Sequence, residues 1–503
     1  MCQAQLLVIQ LMFGDMILSL MKGQKNMKVP FSKYLDSIAD GLKLLIADLS
    51  EDHDYVSVLA TDSLGFSIIT SLHMKKVSSQ NMTSERGIVV RVARHDHYSE
   101  YACNDFDPKH WREKAEQIRE AFNYQEELLS ACGVKPYVTG ILADEMDSER
   151  YEAQAQMLPE ECDLSLIVEQ MNQLCHKTAE ASEYVYEVQS AAQSTHISKM
   201  FLSCEKDMRQ SYVYTEATIV PLVSKDGKNA NGYKGVSGRV GPEIISCLQD
   251  VWQDALKRAE DILHAQRIEP GEYDIITSPE VSGLIAHEAF GHGVEMDMFV
   301  KHRALGEHYI DQRVGSDLVT MHEGALCVEN VSSYIFDDEG NRASDTVEID
   351  HGILKTGICD ALSAQRLGIT PTGNGKRQNF EHKVYTRMTN TLFDAGNDTL
   401  EDMIASIEHG YLLEGMESGM EDPKHWGIQC IISLGREIRD GKLTGKVVAP
   451  IIMTGYVPDI LGNITMASTN QEVFGNGFCG KGHKEIVKVA DGGPYLKTKG
   501  ILA

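Results

Sequence analysis

His287-Glu288-Ala289-Phe290-Gly291-His292 decides how the chain is read, because it puts two imidazoles and a carboxylate on one predicted helix. Zinc is bound by imidazole nitrogens, and a glutamate beside a ligand can act on the metal's water, whose pKa zinc lowers from ~15.7 to roughly 7. The familiar two-histidine zinc helix spaces its histidines at i and i+4, on one face. Here the spacing is i to i+5. At about 100° per residue a regular helix would set the two side chains ~140° apart, too far round to share one ion. A π-type bulge restores the common face, and Gly291 eases such a distortion. The motif therefore predicts either a π widening or an exit from the helix between His287 and His292.

The flanking residues place the motif at the end of a buried helix. Ser278-Pro279 reads as an N-cap followed by proline at the first helical position, and Gly293 reads as the stop. Val281, Leu284 and Ile285 fall at helical spacing, which makes this a core helix. A lone histidine there is ordinarily a hydrogen-bonded core imidazole. Two histidines and a glutamate each need a polar partner, and a shared metal answers that need better than three separate ones. For a third ligand the best candidate is Cys479, in Gly475-Asn476-Gly477-Phe478-Cys479-Gly480-Lys481. Its glycines let the backbone approach closely, and Lys481 favours a thiolate. The plainer reading of a free cysteine is a small buried hydrophobe, and the chain has 11 cysteines. No Cys-x-x-Cys pair occurs, so an open catalytic site fits better than a four-cysteine structural one.

At 503 residues the chain exceeds one core, and two domains of about 200–250 residues are expected. Asp226-Gly227-Lys228 in a polar run marks a boundary near residue 230, giving an N-terminal domain over 27–230 and a C-terminal domain over 231–503. Acidic residues number 74 and basic ones 47, a formal net charge of −27. That balance disfavours direct binding to nucleic acid and reads as solubility, with a preference for basic peptides as a minor alternative. Scattered cysteines without a compact framework suggest a reducing compartment, so a cytoplasmic location is expected. Residues 1–26 stand apart as an apolar leader. Gln5 to Met21 is interrupted by Asp15, follows no Lys or Arg, and precedes no small-residue cleavage site. It meets the test for neither a membrane span nor a signal peptide; no membrane association is expected, and Met27 is a candidate start.

Trp111, Ala115, Ile118 and Phe122 predict an amphipathic helix stopping near Gly133. Leu164, Val168, Met171 and Cys175 predict a second, and Ile245, Leu248, Trp252 and Ala255 a third opened by Pro242. Asp350-His351-Gly352, Asp440-Gly441 and Asp491-Gly492-Gly493 each lie between strand-like residues and predict hairpin turns. Strands joined by tight turns give antiparallel sheets. The expected class is therefore α+β: a mixed N-terminal α/β domain with an antiparallel sheet, a C-terminal domain rich in antiparallel strands, and the motif helix near their junction. His95-Asp96-His97 reads as a solvated turn ahead of a metal site. Glu295 and Asp297 are either groups that orient a ligating histidine or an exposed acidic pair. Neither a Walker-type loop nor a strand-linked G-x-G-x-x-G fingerprint is found, so no nucleotide cofactor is expected.

The same residues carry a family resemblance. Leu284 to Asp297 (LIAHEAFGHGVEMD), Pro371-Thr372-Gly373-Asn374, Arg387-Met388-Thr389-Asn390-Thr391 and Gly477-Phe478-Cys479-Gly480-Lys481 are its main segments. With Gly235 to Gly241 and Gly87 to Val92, they follow the order of the TldD/PmbA family of metalloproteases over almost the whole chain. The chain resembles the family's TldD-type, motif-bearing subunit. The resemblance implies zinc (Zn2+) held by His287, His292 and Cys479, with Glu288 as general base. It also implies a dimer, either of identical chains or with a PmbA/TldE-type subunit lacking these residues, around a chamber that takes unfolded or small peptides. Two segments depart from the family pattern. Glu417 to Trp426 (ESGMEDPKHW) is longer and more polar than the usual glycine-rich turn and acidic residue, and Phe299 to Gln312 is only loosely similar. Both are expected to border the substrate cleft. Thr372-Gly373-Asn374 and Arg387 to Thr391 are either cleft-lining or packing residues.

The expected function is a zinc-dependent peptidase in which Glu288 handles the protons of water attack on a peptide carbonyl. One alternative is a non-catalytic regulatory or binding subunit, against which the retained motif speaks. The other is a non-peptidase zinc amidohydrolase, against which the i to i+5 spacing and the chain length speak.

Overall fold

The computed structural model describes residues 26–79, 83–94, 97–135, 138–139, 143–482 and 485–503. The apolar stretch Gln5 to Met21 and the pair His95-Asp96 lie outside the described residues. The chain is α+β, with two large sheets that share the site between them.

Nine described strands form the first sheet. Its long members are β1 (Tyr55–Ser71), β2 (Arg86–Arg94), β3 (Val185–Ser203) and β4 (Lys206–Lys225), and β5 (Lys234–Gly238) pairs on β4. β1 to β4 pair antiparallel with one another in the order β4-β3-β1-β2. Apolar residues alternate along β1, so one face takes helices along its length. Helix α1 (Lys33–Leu49) and helix α2 (Trp111–Ala131) cluster with Val56, Val58 and Ala60. Helices α3 (Leu164–Glu180) and α4 (Leu248–Leu263) cluster with Phe66 and Ile68 further along the strand. The last three are the helices read from the sequence, and Ala115, Ile118 and Phe122, Val168, Met171 and Cys175, and Trp252 and Ala255 are buried in them. Pro242 opens a short 3-10 turn just ahead of α4. Asp226-Gly227, the marker for the boundary expected near residue 230, is a hairpin turn after β4 with φ of 50° and 76°, and the first sheet continues to Gly238.

The second sheet contains β6 (Gly271–Thr277), β7 (His409–Asp422), β8 (Gly427–Arg439), β9 (Ile451–Tyr456) and β10 (Met466–Phe474). After the small two-stranded ladder of β11 (Phe478–Lys481) and β12 (Glu485–Lys488), it ends on β13 (Ala490–Leu502). Strand β6 pairs in parallel with β7 and antiparallel with β13, while β7–β8, β8–β9 and β9–β13 are antiparallel, so these five strands close into a ring. Helix α5 (Pro279–Ala286), which carries the motif, packs Val281, Leu284 and Ile285 into the largest apolar cluster with Ile275, Ile428 and Leu496.

Two of the predicted hairpin turns are present, at His351-Gly352 and Asp440-Gly441, with positive φ at both central residues. The third is not. Asp491-Gly492-Gly493 lies inside β13, paired with β10 on one side and with Asn390 to Leu392 on the other. A Cβ on Gly492 would stand 2.1 Å from the Glu472 carbonyl oxygen, so these glycines serve close strand approach and not a turn.

Candidate metal centre

Helix α5 begins at Pro279 as its sequence dictates, although the Ser278 hydroxyl makes no capping bond. After Ala286 the backbone widens into a π turn over His287–Gly291, and the His292 N–H donates to the His287 carbonyl oxygen at 3.0 Å, five residues back. That extra residue brings the two imidazoles together, with ring centroids 5.1 Å apart and planes nearly perpendicular. Gly291 belongs there for space as well as flexibility: a Cβ would meet Met388 Sδ at 2.3 Å.

Cys479 arrives from the short strand β11. Its Sγ lies 3.4 Å from His292 Nε2, and one donor atom from each of His287, His292 and Cys479 falls within 4.8 Å of the others. The hairpin is fixed from behind by Arg387, 1 % exposed, which donates from Nη2 to the Cys479 carbonyl at 2.5 Å and from Nη1 to the Glu485 carbonyl at 3.3 Å. Arg387 to Thr391 are thus packing residues in this fold; Thr389 and Thr391 donate to the buried Glu323. Asn374 joins them through bonds to Glu323 and the Arg387 carbonyl.

Burial acts to raise the Cys479 thiol, but the field of His292 and hydrogen bonds from both histidines outweigh it and bring it down to about 4. Burial likewise works against a charged His292, and the charges of Cys479 and Glu295 overcome it and hold the imidazole well above its ordinary range. Lys481 plays a different part from the one read in the sequence. Its ammonium is engaged by Glu295 Oε2 at 3.1 Å, Asp297 Oδ1 at 2.8 Å and the Thr386 carbonyl at 3.1 Å, while the histidines set the thiol. Glu295 in turn accepts from His292 Nδ1 at 3.1 Å, which fixes the ring with Nε2 toward Cys479. Both acids are therefore buried and not an exposed pair: Glu295 orients His292, whereas Asp297 pairs with Lys481 and Lys301.

Two residues near the triad were missed in the sequence. Asp491 points Oδ2 at His287 Nδ1 from 3.9 Å, and its other oxygen and that nitrogen have no hydrogen-bond partner. Burial pushes its carboxyl up to about 6. Glu421, within the segment expected to border the cleft, has its carboxyl raised to about 9 by burial, a rise that His292 opposes and nearby acids reinforce. Glu288 is half-buried, and its side chain lies flat against Gly419 of β7, where a Cβ would be 2.4 Å from Glu288 Cγ. All of these line one cleft of ≈ 2120 Å³ that runs between β5, the end of β7 and β11.

Two imidazoles and a thiolate suit zinc. With Zn–S of about 2.3 Å and Zn–N of about 2.0 Å, a tetrahedral ion sets sulfur and nitrogen ~3.5 Å apart, which the Cys479–His292 separation already matches. The cleft side of the triad is left for water or substrate.

An α+β protein with a π-turn His/His/Cys cluster at the floor of a wide cleft is the class that fold and site define. Residues 270–502 match the model of the PmbA/TldA metallopeptidase C-terminal domain. This C-terminal region is of the TldD/PmbA family type. It is 28% identical over 308 residues to a protein named metalloprotease from Methanothermobacter thermautotrophicus, covering 61% of this chain and 67% of that one. It is 30% identical over 288 residues to the metalloprotease TldD homolog of Haemophilus influenzae (56% of this chain, 59% of that one). To the zinc metalloprotease TldD homolog of Saccharolobus solfataricus it is 30% identical over 257 residues (50% and 56%). The latter two alignments span less than two thirds of those relatives. Crystalline TldE from Thermococcus kodakarensis shares the fold, with a TM-score of 0.76 at 16% identity over 92% of this chain and 99% of that one. No helix among the described residues is long and apolar enough to cross a membrane.

Proposed function

We propose that the protein is a zinc-dependent peptidase of the TldD type, with His287, His292 and Cys479 as metal ligands and Glu288 as general base. The observation that carries this reading is the meeting of three donor atoms, from segments 187 residues apart, beside a glutamate in an open cleft. The names of the metalloprotease relatives support it. When bound, zinc supplies Lewis-acid chemistry, acidifying water and polarising a carbonyl. Glu288, adjacent to His287 in the chain and held against the bare Cα of Gly419 in the same cleft, takes the proton of the attacking water and passes it to the leaving amine. Glu295 and Lys481 keep His292 in the tautomer that presents Nε2.

Peptides would bind as extended chains. Among the described residues β6 pairs with β7 only over Gly410 to Leu413, so Ser418 to Glu421 offers an open strand edge in the cleft, and backbone pairing there tolerates many sequences. The working particle is proposed to be a dimer, with a second copy or a TldE-type chain, in the cytoplasm. Elemental analysis of purified protein should show about one zinc per chain. Cys479→Ala should lose it, whereas Glu288→Ala should keep it and cleave peptides ~100-fold more slowly or worse. Folded wild-type protein that takes up no transition metal, even with zinc added back, ends this reading.

A further inference from the structure

Glu421 is a half-buried acid with a buried carboxyl that the proposed chemistry leaves unused. It sits on β7 two residues beyond Gly419, on the strand face that meets Glu288. A Cβ on Gly293 would lie 3.3 Å from its Oε1, so the carboxyl rests against the end of the π turn beside His292. Both of its oxygens are buried, and neither has a hydrogen-bond partner. Burial without a cation disfavours the charged carboxylate, and a cation arriving beside it restores the charged form and satisfies its oxygens.

Among the described residues no side chain or backbone group bonds to this carboxyl. Of the cations lining the cleft, Lys234 and Arg258 are committed to Glu280, Arg239 to Glu329, and Lys301 and Lys481 to Asp297, while Arg303 lines the cleft without bonding to Glu421. Asp254, Glu417 and Glu472 add further acid to the same walls. Glu421 is thus an unpaired carboxyl in a cleft whose lining holds more acidic than basic side chains.

We propose that Glu421 is a cation subsite for the substrate: it accepts a primary ammonium, supplied by the peptide's N-terminus or by a lysine side chain, and so sets which bond lies over the triad. The subsite deepens the peptidase reading and rests on it for its purpose, but binding can be measured without turnover. The probe is a set of short peptides labelled at the C-terminus, titrated by fluorescence anisotropy into the Glu288→Gln chain. One pair has a free or an acetylated N-terminus and no lysine. The other pair is acetylated and carries lysine or norleucine at one position.

The subsite requires that one member with an amine bind about tenfold or more tightly than its uncharged twin, and that Glu421→Gln in the same background erase the difference while Glu417→Gln does not. Preference for the free terminus assigns the site to N-terminal recognition; preference for lysine assigns it to a side chain. Equal binding within both pairs overturns the proposal, and does so even if the Gln variant fails to fold, because that comparison needs only Glu421 in place. A preference that survives Glu421→Gln overturns it too. Turnover of the same peptides with Glu288 intact separates the two readings: cleavage without charge preference removes the subsite alone, and Glu421-dependent binding without cleavage of any peptide removes the peptidase.

Discussion

The π turn and the β11–β12 hairpin deliver ligands to one point, and they are held by opposite kinds of force. The histidine segment is set by packing: Val281, Leu284 and Ile285 are buried in the main core, and Phe290 packs on Trp426 with ring centroids 5.2 Å apart. The cysteine hairpin has little core of its own, a small cluster of Cys479 and Val487 with Ile358, Met388 and Val489. It is held by buried charge, through Arg387 to its backbone and Lys481 to Glu295 and Asp297. Apolar packing is non-directional and tolerates exchange of similar volumes, whereas a buried guanidinium works only if its geometry is kept. The first half of the site should therefore fail by changes of register and volume, and the second by changes of charge.

Deletion of Phe290 is the most severe way to test that contrast. It shifts His292 and all that follows, and removes a ring whose loss alone costs about 3–5 kcal/mol. Zinc binding, measured by elemental analysis, and peptide cleavage should both vanish, with a lower melting temperature. Zinc retained at full stoichiometry would mean that the hairpin follows the histidines wherever they go. Arg387→Leu comes next: the Cys479 and Glu485 carbonyls lose their donor, and zinc affinity in chelator competition should fall by roughly 10–100-fold. An unchanged affinity would show that the β11–β12 ladder holds Cys479 unaided and would dissolve the contrast. Gly419→Ala should have the smallest effect on the metal. Its Cβ collides with Glu288 and with neither histidine, so zinc affinity should hold while the cleavage rate drops about tenfold or more. Loss of zinc in this variant would tie Glu288 to metal binding.

The sequence revealed the first half of the site more fully than the second for the same reason. Local spacing governs a helix, so the i to i+5 histidines implied a widened turn, and the structure has it. Cys479 rested mainly on resemblance, because its neighbours in space, Arg387 and His292, are 92 and 187 residues away. Lys481 was read by its nearness in sequence to Cys479, while its partners Glu295 and Asp297 come from beyond the motif helix. The helical stripes of α2, α3 and α4 were legible because each is decided within one turn or two. Closure of the ring by β6 and β13 was not, since no local signal records which distant strand a strand will join. Asp491-Gly492-Gly493 misled for that reason: its residues have turn chemistry, but the pairing on both sides of β13 decides their conformation. Glu421 lay in the segment flagged by its polarity, with no mark of its own.

The β11–β12 ladder has one more consequence, and it concerns time. It is a two-stranded unit outside both large sheets, so it can peel away while the ring and α5 stay folded. Elements with few contacts of their own open far more often than the globule unfolds. A bound ion would therefore have its residence time set by the breathing of this one hairpin, and chelators should strip the protein at a rate unrelated to its global unfolding rate.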